Sequence, residues 1–232
     1  MCKRKSIAIF SVLIIFIVLL GMVGCASNEE DFEGGYYAIL APKDGETVSP
    51  EEMDAVTETL RSRLNNLGWS KVRIIKSDNG LRVEIPAIYD PNGVINLIDN
   101  QGELQFRDSK GNVRVRGEHI KDATAGINPQ TGDNAVFIEF TPEGEKLFAD
   151  ATKAIAAKED GVENKFSIYL GDRLIFSPTV ESEIKRGGAI ISPIEDAETA
   201  RVIASIIKSG SLKIALNIRE LKQIDSKHNN NG

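Results

Sequence analysis

A charge-free apolar run from Ile7 to Leu20, entered through Lys3, Arg4 and Lys5 and left through Gly21-Met22-Val23-Gly24-Cys25, decides which part of this 232-residue chain can fold. Basic residues, a short apolar core and then small residues form the pattern of a secretory signal, a segment that is discarded rather than packed. An uncleaved membrane helix is the other reading, because Ile7 to Val23 only just reaches the roughly 17 residues that a span needs. The cleaved signal fits better, since such signals carry an apolar core of about 7 to 15 residues ending at small residues. On either reading the rest of the chain is exported. Its fold must form without disulfides, because Cys2 and Cys25 are the only cysteines and neither lies within the segment that follows. Stability therefore rests on a hydrophobic core.

Charge excludes two classes of partner. The chain has 28 basic and 34 acidic residues, and loss of Lys3, Arg4 and Lys5 takes the formal net charge from −6 to −9. Affinity for nucleic acid comes mainly from Lys and Arg neutralising phosphates, so nucleic acid is not an expected partner. An anionic lipid surface should repel the domain for the same reason. The roughly 200 residues after the signal suit one or two subdomains. Ala26 to Gly35, ASNEEDFEGG, reads as an acidic spacer that holds the domain within roughly 35 Å of its anchor.

The periodicity then alternates between strand and helix. Tyr36 to Ala41 is strand-like. Ser49-Pro50-Glu51-Glu52 is a capping box with proline at the first helical position, and Met53, Val56, Leu60, Leu64 and Leu67 follow on one helical face before Gly68. Val72 to Ile75 and Leu81 to Ile85 flank the turn residues Ser77-Asp78-Asn79-Gly80, a hairpin signal. A helix after Asp90-Pro91 turns Val94, Leu97 and Ile98 inward, and Leu104 to Arg107 is a strand. Strand, helix, strand, strand, helix, strand is the ferredoxin-like pattern, so residues 36–108 are expected to form an α+β base.

The segment from Asp108 to Asp133 reads as turns and short strands. Ala135 to Phe140 is a strand, Thr141-Pro142-Glu143 opens a helix with Leu147, Phe148, Ala151 and Ile155 inward, and Phe166 to Leu170 and Leu174 to Phe176 are strands around Gly171-Asp172-Arg173. Ser192-Pro193-Ile194-Glu195 is expected to cap a helix that carries Ala200, Ile203 and Ile207 and stops at Gly210. Leu212 to Ile218 is the expected last strand, and the tail from Asp225 lacks apolar residues and reads as disordered.

Catalytic chemistry finds little material. His228 lies in the tail and His119 stands alone as a surface residue, so no zinc site or charge relay is expected. The glycines form no phosphate-binding loop. Carboxylates are abundant, but abundance alone points to solvated faces rather than an acid pair. No metal, cofactor or enzyme activity is expected.

Two resemblances give these elements a context. Leu20 to Cys25 resembles the lipobox of bacterial lipoproteins, whose cysteine receives a diacylglyceryl group, so Cys25 is the expected lipid attachment and residues 1–24 the signal peptide. The exported chain resembles the large extracytoplasmic (P1) domain of the SecD family, accessory subunits of the bacterial protein-export channel. The matching residues run in order: Asp31-Phe32-Glu33-Gly34-Gly35; Arg61, Arg63 and Asn65-Asn66-Leu67-Gly68; Leu81 to Pro86 and Asp90-Pro91; Leu104-Gln105-Phe106-Arg107; Phe140, Glu143, Gly144 and Phe148; and Ser177-Pro178-Thr179-Val180. Departures occur at Ile85-Pro86-Ala87, Ile191-Ser192-Pro193 and Gly210-Ser211-Leu212-Lys213. The family's membrane helices, which carry its proton pathway, have no counterpart in the sequence, and a proton-driven cycle is not expected of this chain alone.

The resemblance implies a ferredoxin-like base, 36–108 completed by 210–219, with an inserted α+β head, 109–209, a linker over 25–35 and a tail over 220–232. It implies a lipoprotein outside the cytoplasmic membrane that binds unfolded secreted polypeptide or Sec translocase components; a cell-envelope scaffold is the alternative. The hairpin Tyr169-Leu170-Gly171-Asp172-Arg173-Leu174-Ile175-Phe176 is the expected contact. Its strands alternate faces and cannot bury Tyr169, Leu174, Ile175 and Phe176 all on one side, unless a helix and the other subdomain cover both faces. For the anchor, Cys25→Ser is expected to abolish incorporation of a radiolabelled fatty acid in cells; a Cys25→Ser protein that still takes up label rules out the lipoprotein reading.

Overall fold

A computed structural model describes residues 34–43, 47–77, 80–99, 102–158, 163–185 and 187–224. The signal, Cys25 and residues from Asp225 on lie outside the described residues, whereas residues 220–224, expected in the tail, end the last strand. The elements follow in order: β1 (Gly35–Pro42), α1 (Pro50–Asn66), β2 (Arg73–Ser77), β3 (Gly80–Pro86), α2 (Pro91–Asp99), β4 (Leu104–Asp108), β5 (Val113–Arg116), a short 3-10 turn Gly117–His119, β6 (Ile120–Ile127), β7 (Asn134–Phe140), α3 (Pro142–Ala156), β8 (Phe166–Leu170), β9 (Arg173–Phe176), β10 (Ala189–Ile194), α4 (Ala197–Ser209) and β11 (Leu216–Ile224). They build three antiparallel sheets, ordered β11-β1-β3-β2, β10-β7-β6 and β5-β4-β8-β9. The fold class is α+β, as the sequence indicates.

The first core forms where α1 and α2 bury their apolar faces with Ala38 and Leu40 of β1 and Leu81, Val83 and Ile85 of β3. Helix α1 starts as its sequence dictates: Ser49 Oγ accepts the Glu52 amide at 3.2 Å, and the Glu52 carboxylate accepts the Ser49 amide at 2.9 Å. Its stripe buries Val56, Leu60 and Leu64, with Leu67 just beyond its end. Gly68, at φ 75°, then turns the chain so that its amide reaches the Asn65 carbonyl and the Trp69 amide reaches Leu64.

One residue on α1 breaks the apolar rule. Arg63 has no solvent exposure, yet its Nη1 donates to the Leu97 carbonyl and its Nη2 to the Gly210 carbonyl, each at 2.8 Å. Burial lowers its pKa from 12.5 to about 10, which leaves it charged at neutral pH. The exchange is mutual, because Ser205 of α4 donates to the Arg63 carbonyl at 2.7 Å and Arg201 donates to the Leu67 carbonyl at 2.7 Å.

The second core gathers Phe106, Phe140, Phe148 and Phe166, whose neighbouring ring centroids lie 4.7 to 5.8 Å apart, with residues of all the strands from β4 to β8 and of β10. Helix α4 belongs to both cores. Val202 and Ile206 enter the first, whereas Ala200, Ile203, Ala204 and Ile207 enter the second.

Several sequence expectations change here. Leu104 to Arg107, expected as a strand of the base, instead pairs with β5 and β8 in the sheet around the second core, while β11, from the final segment that the resemblance assigns to the base, lies beside β1. Strand pairing is decided by long-range register, which local pattern does not contain. Ser192-Pro193 sits in β10 through a cis bond and caps no helix; Asp196, whose carboxylate accepts the Thr199 amide at 2.7 Å, is the N-cap of α4. The last strand begins at Leu216 rather than Leu212, although Leu212 and Ile214 are buried ahead of it. Between Asp108 and Asp133, β6 is a full eight-residue strand. Gly35, expected in the spacer, already pairs with Pro86 and Ile224.

Two outcomes are expected of this architecture. Leu64 is 4% exposed within the first core, so Leu64→Ala should lower stability by about 2 to 5 kcal/mol in denaturant titration. The second concerns Asp108, buried at the end of β4. Burial alone pushes its carboxyl up, but donors on Asn112 and Arg114 and the amides of Asn112 and Lys110 outweigh that and hold it at about 2, below its ordinary 3.8. A depressed carboxyl contributes stability above its unfolded value and loses it as pH falls through the folded one. The denaturation midpoint should therefore drop between about pH 4 and 2, with a smaller drop in Asp108→Asn.

Candidate functional site

The β5-β4-β8-β9 sheet shows two different faces because its strands alternate. Leu104 and Phe106 of β4, Val115 of β5, and Phe166, Ile168 and Leu170 of β8 point inward and are buried. Gln105, Arg107, Arg116, Ser167 and Tyr169 therefore point outward. Register places Arg116, Gln105, Tyr169 and Leu174 side by side across the four strands.

The four candidate residues of the β8-β9 hairpin divide into two pairs. Tyr169 faces Leu174 and Ile168 faces Phe176, which leaves Ile175 as the extra residue at an irregularity in the ladder. Leu174 is 50% exposed and shares the outward face with Tyr169. Ile175 packs against both cores and Phe176 against the second. The outward face thus carries one half-exposed leucine beside one aromatic ring, on a strand that pairs only with β8 among the described residues.

Next to this pair runs a chain of polar contacts. Arg116 Nη1 and Gln105 Nε2 both donate to Glu103 Oε2 at 3.1 Å. Gln105 Oε1 accepts from Arg107 Nε and Nη2 at 2.9 and 2.7 Å, and the Arg107 guanidinium lies 4.3 Å from the Tyr169 ring centre. Sequence reasoning noted Gln105 and Arg107 only as members of a motif. The outward position of both was readable from the alternation with Leu104 and Phe106, but their contacts depend on β8 lying alongside.

His119 is a structural residue rather than a loose surface one. Its Nδ1 accepts the Arg116 amide at 3.1 Å, and its carbonyl accepts the Thr141 amide at 2.9 Å. That carbonyl would lie 2.2 Å from a Cβ at position 144, so the first turn of α3 fits only with glycine there. Among the described residues no three His, Cys, Asp or Glu side chains come together as a metal site. The face offers contact surface, hydrogen bonds and one stacked cation, with no nucleophile and base pair beside them among the described residues.

Comparison with known proteins agrees with this geometry. The family model "SecDF, P1 head subdomain" matches residues 96–214, more than half of the chain, and "Protein translocase subunit SecDF, P1 domain, N-terminal" matches residues 53–111. Protein translocase subunit SecD of Acidaminococcus fermentans is 26% identical over 95% of this chain and 52% of its own length; that of Sebaldella termitidis is 28% identical over 97% and 55%. The chain thus spans about half the length of these curated relatives. A crystal structure of SecDF in a super-membrane-facing form superposes with a TM-score of 0.68 at 22% identity, covering 95% of this chain and 35% of that one. A second solved SecDF chain, from a membrane component that enhances protein export, gives 0.64 at 24% identity, covering 81% of this chain and all of that one. Since the P1 head model spans residues 96–214, the chain belongs to the SecDF P1 head family.

Proposed function

We propose that this chain is a non-enzymatic component of protein export that works outside the cytoplasmic membrane, held there by a lipid on Cys25, and contacts extended secreted polypeptide through the outer face of its β5-β4-β8-β9 sheet. Sec translocase components are the other partner on this reading, since the relatives are named as translocase subunits. The observation that carries it is Leu174, half exposed on a strand with an open edge and next to Tyr169. Unfolded clients share no sequence, so they must be gripped by features common to every chain, namely the backbone and apolar side chains. An open strand edge answers the first and a leucine beside an aromatic ring the second. Tyr169 and Leu174 do this work; Ile175 and Phe176 support the hairpin from beneath. In the same terms the base, residues 36–108 with 210–219 but without β4, is the membrane-side support, and residues 109–209 together with β4 are the contacting head.

The test titrates the full chain, in a non-ionic detergent, with a reduced and unfolded secretory protein and with the same protein folded. The unfolded form is expected to bind with a Kd on the order of micromolar, because a client loses chain entropy on ordering, and the folded form not to bind. Leu174→Ser should weaken binding several-fold with an unchanged denaturation midpoint. Equal binding of both forms, or of neither at high micromolar concentration, rejects this reading in favour of a cell-envelope scaffold.

A further inference from the structure

Among the described residues, the outer face of the β5-β4-β8-β9 sheet holds an arginine whose charge is not answered by a carboxylate. On that face Arg116 is paired with Glu103. Arg107 instead donates Nε and Nη2 to the neutral Gln105 Oε1 and lies over the Tyr169 ring. Its neighbours fix its position closely. Gln105 cannot turn freely, because its Nε2 is committed to Glu103, and Glu103 is in turn held by Arg116. The guanidinium has five N–H donors in a planar fork, and the Gln105 contacts leave the Nη1 side uncommitted. A stacked, pre-aligned fork of this kind suits bidentate recognition of a carboxylate.

We propose that Arg107 binds the carboxylate of an acidic side chain in an extended polypeptide while an apolar side chain of the same segment lies on Tyr169 and Leu174. This rests on the reading that the face contacts polypeptide, and it names the segments the face selects: those with an acidic residue close to an apolar one. Geometry joins the two halves. Arg107 is parked over Tyr169, and Leu174 lies one strand further on, roughly 5 Å away. Alternate side chains of an extended segment are about 7 Å apart, so one short segment reaches both. The net charge of −6 does not prevent this, since exposed charges are screened beyond about 10 Å while the contact to Arg107 is direct. A polyanionic surface is the poorer fit, because such binding is built from many neutralised phosphates and the site here is one guanidinium.

The experiment uses the full chain in a non-ionic detergent and two peptides of alternating apolar and polar residues that differ only in one Glu or Gln. At low salt the Glu peptide is expected to bind roughly two- to fivefold tighter than the Gln peptide, the scale of an exposed ion pair. That preference should vanish in Arg107→Gln and at about 1 M salt, where screening acts within roughly 3 Å. Gln105→Leu should reduce it, whereas Leu174→Ser should weaken both peptides equally and preserve their ratio. Denaturation midpoints are measured for each variant, and an Arg107→Lys protein that folds but discriminates less tests the planar fork directly. Equal binding of the two peptides to the unaltered chain overturns the role of Arg107 and leaves the contact reading standing. Binding of neither peptide overturns both. Arg107-dependent binding to phosphatidylglycerol vesicles, without discrimination between the peptides, also overturns it.

Discussion

A buried guanidinium ties the ends of three helices together. Taking Arg63 out of water is costly, and the helix ends around it supply the compensation. Leu97 lies in the last turn of α2 and Gly210 just past α4, so the carbonyls it binds are the ones that helix geometry leaves without intrahelical partners. They also carry the negative end of each helix dipole, which favours a cation there. Arg201 does the corresponding service for the end of α1, and Ser205 binds the carbonyl of Arg63 itself. Three helices are thereby joined through their termini, where apolar packing alone would leave unsatisfied polar groups.

The consequence passes through α4. That helix is buried on nearly every side from Ala200 to Ile207, because its two apolar faces serve different cores. A helix of this kind cannot leave one core without disturbing the other, since the adjacent Ile206 and Ile207, about 100° apart around the helix, enter different cores. Side-chain changes near Arg63 therefore act, through α4, on the β10-β7-β6 sheet against which that helix packs. The β5-β4-β8-β9 sheet sends Phe106 and Phe166 into the second core against Phe140 and Phe148, which leaves the polar ladder from Arg116 to Arg107 to the outer side.

What the sequence revealed follows from what local pattern encodes. The capping box at Ser49, the stripe from Val56 to Leu67 and the inward set of Leu147, Phe148, Ala151 and Ile155 are set by residues within a few turns, and all were readable. The partner of Leu104–Asp108 was not, because a short alternating strand fits either sheet and only the distant residues of β8 decide. Pro193 misled for a similar reason: Ser-Pro opens helices, but here Asp196, further along the chain, offers a carboxylate to the first free amides. The hairpin at Tyr169 was legible as a two-faced element, while the bulge that turns Ile175 and Phe176 inward required the register. Arg107 marks the limit of local pattern, since its chemical character depends on Gln105 nearby and on a ring carried by a different strand.

Strand β1 has a mechanical consequence. From Gly35 to Leu40 it is hydrogen-bonded on both sides, to β3 and to β11, so it lies inside its sheet rather than at an edge. Tension that enters along the chain ahead of Gly35 pulls this strand lengthwise between two antiparallel neighbours. The ladder bonds on both sides then bear the load together, in shear, and none can be opened singly. Tension entering beyond Ile224 meets less resistance, because among the described residues β11 is held by one ladder, to β1, rather than by two. The same sheet is accordingly stiff toward a pull from its leading side and yielding toward a pull from its trailing side.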